Sequence, residues 1–167
     1  MAVEPQQFKE MLRHWASGIT VVTVRDEDGH VHGMTASSFT SVSLQPPLVL
    51  LCINRGSRTH HLLAERRAFG VHLLSEGMEE LSNRCAGLRG EPAHRLDDLP
   101  HQSTPTGAPI LEGALAWMDC TLWAQYDGGD HTIYIGEIQA GGTREGAPLL
   151  WYNRGYRHLA DPDDAAR

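Results

Sequence analysis

Three short segments of the chain concentrate groups that can grip a flat polar molecule or hold a negative charge. The first is Gly33-Met34-Thr35-Ala36-Ser37-Ser38-Phe39-Thr40-Ser41-Val42-Ser43, with hydroxyls at Thr35, Ser37, Ser38, Thr40 and Ser41. Small polar side chains let backbone N–H groups come close to the carbonyl and nitrogen edge of a heterocycle; a plain solvated β-loop has the same composition. The second is Asn54-Arg55-Gly56-Ser57-Arg58-Thr59, which follows an apolar run and opens a helical pattern. A helix start offers free N–H groups and a positive dipole end, and Ser57, Arg58 and Thr59 add donors for a phosphate. An ordinary N-cap beside surface arginines fits the same residues. The third is Gly129-Asp130-His131-Thr132, a turn leading into a strand. His131 there is either an exposed turn residue or a ring placed to touch a planar ligand, and histidine is also a common acid–base group.

Other chemistries are disfavoured. The three cysteines, Cys52, Cys85 and Cys120, are far apart and form no CxxC, so a reduced cytoplasmic protein with three small buried hydrophobes is expected. The ten histidines include no HExxH, and His60 and His61 are adjacent, so no metal is expected. No GxGxxG, Walker lysine motif or GxSxG occurs. The formal charge is −7, with Lys9 the sole lysine, which argues against a nucleic-acid partner. No apolar run reaches the ~20 residues of a membrane helix, and no leader is expected at the start.

The elements that must carry these segments read mainly as strands. One domain over 1–167 is expected, with a core over about 8–159 and a frayed tail over 160–167. Phe8, Met11, Leu12 and Trp15 make a helical stripe in a helix from Pro5 to about Ala16, with Trp15 assigned to the core. Ile19–Arg25 and Val31–Thr35 form a hairpin, and Ala36–Pro47 reads as a loop. Leu48–Ile53 is a fully apolar strand. Ser57 caps a helix to about Glu65, Phe69–Leu74 is a strand, and Ser75 caps a helix to about Ala86. Gly87–Pro109, with four prolines, is irregular. Ala114–Tyr126 and His131–Ala140 are paired strands, and Pro148–Tyr152 is the last. Trp117 and Trp123 share parity and so one face, while Trp151 and Tyr152 are placed to cover a partner subunit. Hairpins without β-α-β alternation predict a mainly β, antiparallel barrel with a few peripheral helices.

These pieces, in this order, resemble the flavin reductase family with the FMN-binding split-barrel fold. The likeness runs from about Phe8 to Leu159 and is carried by WASGITVVT at Trp15–Thr23, by GMTASSFTSVSLQPPLVLLCINRGSRT at Gly33–Thr59, and by the Gly129-Asp130-His131 turn. It implies a split β-barrel, a homodimer with flavin sites near the subunit interface, and a partner flavin-dependent monooxygenase served by diffusing reduced flavin. It implies that Thr35, Ala36, Ser37, Ser38 and Phe39 line the flavin ring edge with Cys52, Ile53 and Asn54 beside them. Asn54, Ser57, Arg58 and Thr59 would then hold the phosphate side. His131 would position the nicotinamide and Asp130 would hold the turn.

The implied reaction is hydride transfer from NADH, or NADPH, to FAD or FMN, with the cofactors supplying the chemistry. The resemblance implies a place for Tyr156 near the nicotinamide, although the C-terminal Trp151-Tyr152-Asn153-Arg154-Gly155-Tyr156 is shorter than the form expected of the family. Arg84, Arg89 and Arg95 are the candidates for a 2′-phosphate. The alternatives are a flavin- or haem-binding module without NADH turnover, and a flavin-dependent oxidase on the same fold.

Overall fold

The β-branched run Thr20–Arg25 (β2) is buried on both faces and divides two cores. Val22 and Val24 face one core with Leu51, Ile53 and Phe69; Val21 faces the other with Ile19, Leu74 and Leu149. Each fully buried aliphatic side chain of this kind stabilises the fold by about 1.5–3 kcal/mol. In this computed structural model, which describes residues 2–87 and 95–160, β2 pairs with β3 (Val31–Ala36) and β6 (Ala68–Leu73). Asp26 shapes the β2–β3 turn by accepting the N–H groups of Asp28 and His30, and Gly29 takes φ +85°.

The remaining long strands are β4 (Phe39–Ser43), β5 (Leu48–Asn54), β9 (Ala116–Gly128) and β10 (His131–Thr143). Together the seven form one antiparallel sheet in the order β3-β2-β6-β9-β10-β5-β4. A second sheet joins β1 (Ser17–Gly18), β11 (Leu150–Tyr152) and β12 (Gly155–Arg157), and β7 (His101–Ser103) pairs with β8 (Pro109–Leu111). The helices are α1 (Pro5–Leu12), α2 (Arg58–Arg66) and α3 (Glu79–Cys85). None is long and apolar enough to cross a membrane.

His72 on β6 ties three elements together. Its Nδ1 lies 3.0 Å from the Val21 carbonyl and its Nε2 accepts the Leu111 N–H at 2.9 Å. Nε2 therefore carries no proton, the ring is neutral, and complete burial pushes its pKa down to about 4.

Several expectations need correction. The α1 stripe is not core: Trp15 is 71% exposed and the helix buries no residue. Periodicity gave the helix its apolar face but not what covers it. Ala36–Pro47 is not a loop throughout, because Phe39–Ser43 adds to β5 as an edge strand with a bulge near Ser43. Ser75 does not cap α3; it bridges Pro148, and Met78 stands at the helix start. Within Gly87–Pro109 the segment around β7 is ordered against β8, while residues 88–94, with Arg89, lie outside the described residues, as does 161–167 of the tail.

Trp117 is half-buried and Trp123 is 54% exposed; the register slips between Leu122 and Ala124, so parity no longer sets a common face. Cys85 and Cys120 are buried, but Cys52 is only partly so. After β11 the chain turns through Asn153 (φ 50°) and Arg154 (φ 62°) into β12, which the sequence reading lacked.

Candidate active site

The register of β5 against β10 decides which site residues meet. His131 pairs with Asn54, and Ile133 with Cys52, so these four side chains share one face. Strand alternation sends the intervening Ile53 into the core, where it is fully buried. The β3–β4 corner closes over the same face. A groove of about 620 Å³ results, lined by Thr35, Ala36, Ser37, Ser38, Cys52, Asn54, Asp130 and His131. Phe8, Met34, Gly128 and Ile133 complete it and were not foreseen. Ile133 could have been found by pairing the two strands from the GDH turn; Phe8 could not, because helix periodicity does not say where a helix docks.

Two of the hydroxyls expected at the ligand are engaged elsewhere. Ser38 Oγ donates to the Cys52 carbonyl (2.8 Å) and accepts its N–H (3.1 Å), standing in for a strand pair. Thr35 Oγ1 donates to the Ser82 carbonyl at 2.6 Å. Between the β3 and β4 ladders, the backbone N–H groups of Ser37 and Ser38 make no hydrogen bond among the described residues. Two adjacent free donors in a groove are the feature a heterocycle edge with carbonyl and imine nitrogen would satisfy. The groove therefore fits a flavin ring on its polar edge.

At the other end, His131 Nδ1 lies 2.7 Å from Asp130 Oδ1. That contact holds the Asp130 carboxyl below its usual range and keeps it charged. In a neutral ring it also puts the proton on Nδ1 and leaves Nε2 as an acceptor. The turn is braced by Arg55, whose N–H donates to the Asp130 carbonyl and whose guanidinium reaches Asp127 at 2.7 Å. Burial raises the Cys52 thiol, so it stays neutral and serves as an apolar wall.

The helix-start residues do not line this groove. Ser57 caps α2, accepting the His60 N–H at 3.2 Å while donating to the Asn54 carbonyl. Arg58 pairs with Asp26 at 2.9 Å. Thr59 is buried with its hydroxyl 3.0 Å from His32 Nε2. Phe39 packs against the core. Only Asn54 of the expected phosphate set reaches the groove, and its Oδ1 accepts the Gly56 N–H at 2.8 Å. Among the described residues no cluster suited to a metal occurs.

Comparison with known proteins places the chain in a family. A model of the flavin reductase like domain matches residues 12–160. The chain is 38% identical over 160 residues to an NADH-dependent flavin reductase of a Rhodococcus species, covering 94% of this chain and 88% of that protein. It is 39% identical over 160 residues to the reductase component of 4-hydroxyphenylacetate 3-monooxygenase of Thermus thermophilus, covering 94% and 98%. The solved structure of the flavin reductase PheA2 in its native state superposes with a TM-score of 0.87 at 33% identity, covering 95% of this chain and all of that one. With most of its length matched by the domain model and by relatives above 30% identity, the chain belongs to the flavin reductase family.

Proposed function

We propose that this chain is an NADH-dependent flavin reductase that hands reduced FMN or FAD to a partner monooxygenase. The observation that carries the reading is the pair of free N–H groups at Ser37 and Ser38, set in one groove with His131. When both cofactors are bound, the chemistry they supply is hydride transfer from nicotinamide C4 to flavin N5. The protein's part is orientation. Ser37 and Ser38 hold the polar edge of the ring, Cys52 and Ile133 give it an apolar wall, and His131, fixed by Asp130, positions the nicotinamide. Holding two reactants in register is worth up to about 7–11 kcal/mol of barrier. His131 is a positioning residue, since hydride transfer takes no proton from a side chain.

Ala36 and Asn54 belong to the same binding surface. Ser57, Arg58 and Thr59 shape the α2 start beside it and would receive a phosphate only by exchanging their present partners. The open sheet, whose edges β3 and β4 follow one another in the chain, is read as a split barrel in a single domain. The exposed apolar stripe of α1, with Trp123 and Tyr126 at 54% and 60% exposure, supports a homodimer. Three unpaired cysteines suit the cytoplasm. The test is to mix the protein with NADH and FMN, FAD or riboflavin and follow NADH absorbance. Rapid loss on adding flavin is expected; bound flavin with no NADH loss would mark a binding module, and sedimentation at the mass of one chain would sink the dimer.

A further inference from the structure

The register of β4 on β5 pairs Ser41 with Val49, Thr40 with Leu50 and Phe39 with Leu51, so Ser38 with Cys52 is the next pair in line. The backbone ladder stops one residue short of it. The Ser38 hydroxyl meets both backbone groups of Cys52 instead, donating to the carbonyl at 2.8 Å and accepting the N–H at 3.1 Å. In a hydrogen-bonded antiparallel pair the two residues would exchange both N–H···O bonds through their backbones. One hydroxyl oxygen can replace them because it both donates and accepts. The Ser38 N–H is thereby left out of the sheet, with no partner among the described residues. A second hydroxyl aims the neighbouring donor. Buried Thr20 donates to the Ala36 carbonyl at 2.6 Å and holds it toward β2. The peptide joining Ala36 to Ser37 is planar and trans, so the Ser37 N–H points the opposite way.

We infer that the Ser38 side chain is a positioning group: by occupying the Cys52 backbone it decides that the Ser38 N–H goes to the flavin ring and not to the sheet. The inference rests on the reductase reading and names what keeps the donor pair available. Without the hydroxyl, the carbonyl and N–H of Cys52 lose their partners on the β4 side. An unpaired backbone group is costly, and the nearest replacement is the backbone of residue 38 itself, one step along the same register. The ladder then closes by one pair and consumes the N–H that the groove presents. The Ser37 donor stays, because Thr20 sets its peptide. The loss falls on the ring edge, which riboflavin, FMN and FAD have in common, so one factor applies to all three. NADH, positioned from the His131 end, is spared.

Amide hydrogen exchange at position 38, read by NMR, tests this without turnover. In the flavin-free wild type this amide should exchange fast, and added FMN should slow it. Slow exchange before FMN is added, or no slowing after, overturns the inference even if no variant folds. In Ser38→Ala the same amide should be slow without flavin. Dissociation constants for riboflavin, FMN and FAD, measured by flavin fluorescence, should each rise by the same factor of about two- to tenfold, the worth of one hydrogen bond. Ser38→Thr keeps the hydroxyl and should bind all three like the wild type. Unchanged flavin binding in Ser38→Ala, equal weakening in Ser38→Thr, or a matching rise in KM for NADH in Ser38→Ala overturns the inference. If FMN binds and slows the amide in the wild type but no NADH is consumed, the reductase reading fails and the role of Ser38 stands. Rapid NADH consumption with Ser38→Ala indistinguishable from the wild type sinks the role of Ser38 alone.

Discussion

His72 and His131 are the same side chain in opposite situations. His72 is fully buried, both ring nitrogens are committed to backbone, and its ring joins β6 to β2 and β8. His131 is partly exposed and has one side-chain partner among the described residues, Asp130, which is itself exposed, so Nε2 faces a ligand. Desolvation makes the first a fixed brace, and a single orienting contact makes the second available for positioning. The residue type says little until burial and the count of satisfied nitrogens are known.

The comparison is broken hardest by His72→Ala. The variant leaves the Leu111 N–H unpaired in the core and opens a void, costing about 3–5 kcal/mol. Thermal unfolding should drop by roughly 6–20 °C, while KM values of the protein that stays folded hold. An unchanged melting point would show that His72 is not a brace. Next is acid. His72 titrates near 4 when folded and near its ordinary 6.5 when unfolded, so the unfolded chain takes up the proton first. Stability holds above the ordinary value, falls as pH drops from it, and has lost about 3 kcal/mol near pH 4. Urea titrations at several pH values check this, and the His72→Ala protein should lose that part of the slope.

His131→Ala is expected to raise KM for NADH about tenfold, a change of ~1.4 kcal/mol, with kcat at saturating NADH and thermal stability retained. Abolished turnover at saturation would make it an essential acid instead. The smallest effect is expected from Asp130→Asn, which keeps a hydrogen bond to His131 but removes the charge. A KM increase of a few-fold, visible in steady-state kinetics, is expected, with little change in unfolding.

Much of this contrast was legible along the chain, but unevenly. Thr20–Arg25 and Leu48–Asn54 announce buried strands through β-branching and unbroken hydrophobicity, and Ser57 announces a cap that the structure reproduces. Parity along Cys52-Ile53-Asn54 would have separated the groove pair from the core residue between them, had strand alternation been applied there. Other features depend on distant partners. β4 is recruited by pairing to β5 despite a loop-like composition of hydroxyls. The roles of Ser38, Thr35 and Thr59 turn on Cys52, Ser82 and His32, which lie 14 to 47 positions away. Nothing local marks His72 as a clamp or Phe8 as part of the groove.

The amide of Asn153, in the left-handed turn between β11 and β12, donates to the carbonyl of Arg13 just past α1. The β11–β12 turn therefore holds the segment that follows α1, and with it the helix that carries Phe8 to the groove. A protease nick near Asn153 would be felt as weaker flavin retention long before the sheet itself came apart.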